Sequence, residues 1–238
     1  MIEINCQNYL NTYLNKKITY QQKDNCKNLM LIMDTRLSLS LILVIKNALD
    51  IMSNFNLMVI STKETINFLE KTFGKIPNTI EINKNKITLK EYSKILMDQN
   101  IWKKIKEDRI LIFQSDTVIL RDIKDEEFPK LSMLGPVCVD LENEKQFMIN
   151  GGFSLRDKRL MMELCNNKII NSDVEDIFYT EQIRYHYPEL MPSIRECNDF
   201  AIESVGNALT AKGVHGTDKY YRTFKGYKEI FDTLELSS

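Results

Sequence analysis

The sequence predicts an α/β protein with a mainly parallel central sheet flanked by helices. Three apolar runs of strand length, at residues 29–33, 57–60 and 109–113, are continuous rather than alternating, the mark of strands buried on both faces. Stretches of helical period lie between them, and strands alternating with helices imply βαβ units.

Taken in order, Leu29-Met30-Leu31-Ile32-Met33 is the first strand. A helix follows from about Leu37 to Met52, with Leu41, Val44, Ile45 and Leu49 at helical spacing. Leu57-Met58-Val59-Ile60 is the second strand. Ser61 and Glu64 have capping-box spacing and predict the next helix start, with Ile66, Leu69 and Phe73 on one face and Gly74 as its stop. One helical stretch is expected from about Thr88 to Lys106, then a third strand at Arg109-Ile110-Leu111-Ile112-Phe113. Gly151-Gly152 is expected between an apolar strand and a helix. The order predicts a single domain over residues 1–238, with a polar N-terminal extension at 1–27, a core at 28–222 and a C-terminal helix at 223–238.

Composition narrows the partners. The chain of 238 residues has a formal net charge of -1, which removes the electrostatic case for a nucleic-acid backbone or an anionic membrane. The cysteines, Cys6, Cys26, Cys138, Cys165 and Cys197, are scattered without metal-ligand spacing and read as reduced thiols. Residues 1–22 have no apolar signal region, and the apolar run 37–51 is broken by Ser38, Ser40, Lys46 and Asn47. A cytoplasmic enzyme, or an excised domain without a membrane anchor, is therefore expected. The abundance of Asn, Lys and Ile is that of an AT-rich genome, such as that of a large DNA virus or a parasite.

In parallel sheets, ligands bind beyond the carboxyl ends of the strands. The first strand ends in Asp34-Thr35-Arg36 and the third in Gln114-Ser115-Asp116-Thr117. Both place a carboxylate where a ligand would sit, although each Asp would also serve as a cap or turn residue. No G-x-G-x-x-G follows Met33, which argues against a dinucleotide-binding dehydrogenase. Gly151-Gly152 would let backbone approach a ligand closely. Glu175-Asp176 reads either as the acid-rich first turn of a helix or as a general base. Of the two histidines, His186 reads as structural at a helix end or loop, whereas His215 is set between Gly213 and Gly216 near the C-terminus.

Read together, the ordered blocks Asp34-Thr35-Arg36, Ile101-Trp102-Lys103-Lys104-Ile105, Leu111-Ile112-Phe113-Gln114-Ser115-Asp116, Asn150-Gly151-Gly152-Phe153-Ser154-Leu155-Arg156, Glu175-Asp176 and Gly213-Val214-His215 resemble a glycosyltransferase-like family of the GT-A superfamily. The resemblance runs from about Leu29 to Tyr221. It implies a Rossmann-type nucleotide-sugar-binding fold and a metal-dependent transferase. The donor would be a UDP-hexose such as UDP-glucose or UDP-GlcNAc, and the acceptor hydroxyl would lie on a glycan, a protein or a small molecule, with inversion. By the same resemblance Asp116 and His215 hold Mn²⁺ or Mg²⁺, Asp176 is the base and Glu175 a supporting acid or acceptor contact. Asp34, Thr35, Arg36, Gln114, Ser115, Gly151, Gly152 and Lys219 contact the donor. Gln114 stands where many transferases carry the first Asp of D-x-D, and the family's G-A-P-W turn appears as Gly135-Pro136-Val137-Cys138, without the Trp. A nucleotide-sugar-binding protein without catalysis is the alternative those departures motivate.

Overall fold

A computed structural model of the chain describes residues 9–129, 132–138, 147–203, 205–207 and 209–217. Lys219 and the helix expected at 223–238 lie outside the described residues.

The central sheet has six strands in the order β3-β2-β1-β4-β9-β6. These are β1 (Asn28–Met33), β2 (Asn56–Ser61), β3 (Asn78–Glu81), β4 (Arg109–Phe113), β6 (Met133–Leu134) and β9 (Phe153–Asp157). Strands β3, β2, β1 and β4 run parallel, and only β9 is reversed, pairing antiparallel with both β4 and β6. Every residue of β1 and β2 is buried, as their unbroken apolar runs require.

The helices α1 (Leu39–Ile51), α2 (Lys63–Phe73), α3 (Leu89–Leu96), α4 (Gln99–Lys104), α5 (Lys158–Asn166), α6 (Glu175–His186) and α7 (Ile194–Phe200) flank the sheet. Two expectations about them need correcting. The cap of α2 is Thr62, whose hydroxyl accepts from the Thr65 amide, while Ser61 ends β2 and donates its hydroxyl to the Asp34 carbonyl. The stretch expected as one helix from Thr88 to Lys106 is two. Asp98 accepts from the Asn100 amide and starts α4 afresh, so a capping side chain outweighs the continuous helical pattern. Trp102 in α4 is fully buried and donates to the Leu96 carbonyl at 2.7 Å and the Tyr179 hydroxyl at 3.0 Å, which ties α4 to α6.

The polar segment expected as an N-terminal extension is anchored in its described part, since Leu10, Tyr13 and Tyr20 are buried in the core. Cys26, Cys138, Cys165 and Cys197 are free thiols. Among the described residues no helix is long and apolar enough to cross a membrane.

A second, smaller sheet carries part of the site. It has the order β10-β11-β5, formed by β10 (Ala201–Ile202), β11 (Gly213–Val214) and β5 (Val118–Ile119). Asn47 of α1 fixes its edge: the side-chain oxygen accepts from the Ile119 amide at 2.7 Å and the nitrogen donates to the Ile119 carbonyl at 3.0 Å. The hairpin of β7 (Val137–Cys138) and β8 (Met148–Ile149) leads into the paired glycines. These lie between two strands, not between a strand and a helix as expected, because Phe153-Ser154-Leu155-Arg156 pairs with β4.

Candidate functional site

Register brings together residues far apart in sequence. Phe113 pairs with Phe153, so Gln114 at the carboxyl end of β4 lies beside Gly152 at the amino end of β9. Val214 pairs with both Val118 and Ile202, so His215 emerges beside Thr117 on one side and Glu203 on the other. The Gln114–Thr117 turn is closed by its own groups: the Thr117 amide donates to the Gln114 carbonyl at 3.1 Å, and the Gln114 amide to the Thr117 hydroxyl at 3.2 Å.

The first cluster surrounds His215. Its Nε2 lies 3.2 Å from Gln114 Oε1 and 3.5 Å from Asp116 Oδ1, and its Nδ1 lies 3.5 Å from Glu203 Oε1. Burial opposes a charged imidazole here, but hydrogen bonding and charge from Asp116 and Glu203 overcome it and push the pKa up to about 9. The glycine opposite is obligatory in size: a Cβ on Gly152 would stand 2.1 Å from His215 Nε2.

The second cluster surrounds Arg156, which is fully buried. Its guanidinium donates to Glu175 Oε2 at 2.8 Å and Oε1 at 3.1 Å, to the Ser154 hydroxyl at 2.8 Å and to the Gly151 carbonyl at 3.3 Å. This is a two-pronged ion pair with side-chain exposures of 0% and 4%, so Glu175 has its oxygens committed. Asp176 Oδ1 accepts from the Gly151 amide at 2.8 Å. Burial first, and then the charge of Glu175, raise its pKa well above the usual carboxylate range, with Arg156 and the Gly151 amide acting against them. A Cβ on Gly151 would lie 2.2 Å from Glu175 Oε1 and 2.4 Å from Asp176 Oδ1. Each of the paired glycines thus faces one cluster.

A third group stands at the end of β1. Arg36 grips Asp34 through Nε at 3.0 Å and Nη2 at 2.9 Å, and the Ser115 hydroxyl donates to Asp34 Oδ2 at 2.9 Å. The Arg36 side chain is 66% exposed, so part of its fork faces solvent. Thr35 is buried beside it. His186 is the last residue of α6, as its helix-end reading has it.

Two residues at the site escaped the sequence. Tyr92 of α3 is buried near Glu175, Asp176, Arg156 and Gln114; burial raises its phenol, the charge of Glu175 adds to that, and Gln114 opposes it. The position carried no motif, and its helical spacing reads as core. Glu203 follows a strand of two residues, too short to register as one.

A divalent cation fits the first cluster on donor chemistry. Mg²⁺ and Mn²⁺ favour oxygen ligands in octahedral geometry, and two donors at right angles, each about 2.1 Å from the ion, sit about 3 Å apart. The separations of Gln114 and Asp116 from His215 Nε2 are near that span. Among the described residues no group of three or more acidic, thiol or imidazole side chains converges as a metal site. Asp116, His215 and the Gln114 amide oxygen would therefore leave positions for phosphate oxygens and water.

The family model described as "Protein of unknown function (DUF5672)" matches residues 78–215, which span the Gln114, Gly151, Asp176 and His215 segments. No curated protein matches the sequence significantly. Among solved structures, the apo-form glycosyltransferase GlyE of Streptococcus pneumoniae TIGR4 is similar in fold, with a TM-score of 0.50 at 9% identity. The alignment covers 90% of this chain and 64% of GlyE, so the chain spans less than two thirds of that protein's length.

Proposed function

We propose that this chain, which belongs to the DUF5672 family of proteins of unknown function, is a metal-dependent glycosyltransferase. It moves a sugar from a nucleotide-sugar donor of the UDP-hexose type to an acceptor hydroxyl, with inversion. The observation that carries the reading is the position of Gly151-Gly152, flanked by Gln114, Asp116 and His215 on one side and by Asp176 on the other. The fold likeness to a glycosyltransferase supports it at the level of architecture.

In this reading Asp116, His215 and Gln114 would hold Mn²⁺ or Mg²⁺, which would supply positive charge opposite a diphosphate leaving group. Arg36, with Asp34, Thr35 and Ser115, lines the nucleotide and diphosphate side, where a guanidinium fork suits phosphate oxygens; a diphosphate contact for Lys219 rests on the family resemblance alone. Gly151 and Gly152 let the backbone approach the sugar. Asp176 takes the proton of the acceptor hydroxyl, and the freed oxygen forms the new bond to the anomeric carbon. The bond from that carbon to the diphosphate breaks, and its electron pair leaves with UDP. A stronger base than an ordinary carboxylate is better matched to that proton transfer, and burial and the charge of Glu175 push Asp176 in that direction.

Asp176→Asn keeps the acceptor for the Gly151 amide while removing the base. It is expected to bind UDP as the parent does and to lose transfer by about 10²–10⁴-fold. Unchanged turnover would remove Asp176 from the role. UDP binding by the parent with neither transfer nor donor hydrolysis would favour a non-catalytic binding protein.

A further inference from the structure

We infer that Glu203 is the positioning residue for His215, holding the ring so that Nε2 is the atom offered to a cation. The inference rests on the reading of Asp116 and His215 as cation ligands.

The geometry is built by the smaller sheet. Strands β10 and β11 run parallel, with Ile202 opposite Val214, and the His215 amide donates to the Ile202 carbonyl at 2.8 Å. Glu203 and His215 are the next residues along these paired strands, and both are buried. The Nδ1 of His215 is buried without a hydrogen bond of good geometry, and Glu203 Oε1 faces it at 3.5 Å. A buried ring N–H requires an acceptor, and this carboxylate is placed to be one. On the opposite edge, Nε2 faces Asp116 and Gln114.

An imidazole has one proton to place when neutral. With that proton on Nδ1 and directed at a carboxylate, the Nε2 lone pair is free and made more basic. Glu203 also reaches the glycine loop: Asn150 Nδ2 donates to its Oε1 at 3.4 Å, and Asn150 Oδ1 accepts from the Gly152 amide at 2.8 Å. One carboxylate therefore braces both the ring and the loop that packs against it. The Cys138 thiol, 3.7 Å from Glu203 Oε2, completes the wall.

The test is calorimetric titration of the full chain, in the presence of UDP, with Mn²⁺ and separately with Mg²⁺. It compares the parent with Glu203→Gln, Glu203→Met and His215→Gln. Glu203→Gln keeps the size but loses the charge, and is expected to weaken Mn²⁺ binding about 10-fold; Glu203→Met should approach 100-fold. Mg²⁺ binding, which leans on oxygen donors, should fall less, so the difference between the two ions narrows. That narrowing separates positioning from general loosening, which would weaken both ions alike. Should Glu203→Met fail to fold, Glu203→Gln alone decides. Loss of Mn²⁺ binding in His215→Gln with parental affinity in Glu203→Gln would overturn the inference and leave the cation site standing. No Mn²⁺ binding by the parent would remove the cation reading and this inference with it.

Discussion

On one side of the paired glycines, Glu175 and Asp176 lie around the buried guanidinium of Arg156; on the other, Asp116 and Glu203 lie around the buried imidazole of His215. The composition is the same, two carboxylates and one cationic side chain, but the cations differ in kind. A guanidinium does not release its proton, so Arg156 holds Glu175 as a permanent partner and the proton demand falls on Asp176. An imidazole can release its proton, so the His215 cluster can exchange a proton for another cation. The comparison teaches that, on the proposed function, one cluster would serve as a fixed scaffold for a base and the other as an exchangeable seat.

The largest expected effect breaks the fixed side. Arg156→Met leaves Glu175 buried without its counter-charge, and the cost is about 3–5 kcal/mol of folding stability. Chemical denaturation measures it, and a loss below about 1 kcal/mol would mean that the pair is solvated rather than buried.

A smaller effect sharpens the contrast. Gly151→Ala and Gly152→Ala each force a Cβ to within 2.2 Å and 2.1 Å of a neighbouring atom, and each should destabilise by about 1–3 kcal/mol. They should part in function. Gly152→Ala pushes on His215 Nε2 and weakens Mn²⁺ binding, whereas Gly151→Ala displaces Asp176 and lowers turnover with Mn²⁺ affinity retained. Equal loss of both properties in both variants would merge the two clusters into one.

The smallest effect is a pH slope. In the metal-free chain the His215 pKa is raised to about 9 from the ordinary imidazole value near 6.5. Its stabilising contribution is thus complete below about 6.5 and is lost as pH rises through about 9, with a slope of about 1 kcal/mol per pH unit above neutrality. His215→Gln should flatten that part of the profile, read as melting temperature against pH.

Much of the parallel half was legible because its strands are buried on both faces. Leu29–Met33 and Leu57–Ile60 can only be apolar throughout, and such runs stand out. The edge strand Asn78–Glu81 is largely half-buried, so its side chains carry no such mark. The two-residue strands β5, β10 and β11 are too short to hold a period at all, yet they deliver Asp116, Glu203 and His215 to one place. The candidate site, as residues that the fold brings together, was therefore legible where a residue sat in a block of unusual composition, as with Gly151-Gly152 and Glu175-Asp176. It was illegible where a lone side chain acquired its meaning from register. Glu203 belongs to the second kind, and so does Arg156, whose burial against Glu175 no local pattern announces.

The central claim is that the seat formed by Asp116, His215 and Gln114 receives a cation together with a nucleoside diphosphate. Melting curves of the full chain with a panel of nucleoside diphosphates and nucleotide sugars, each with and without Mn²⁺ or Mg²⁺, test it directly. A ligand that binds only the folded state raises the melting temperature by mass action. The account predicts a rise with UDP or a UDP-sugar that depends on the cation and is lost in Asp116→Asn. No rise with any nucleotide, or a rise indifferent to cation and to Asp116, would contradict it.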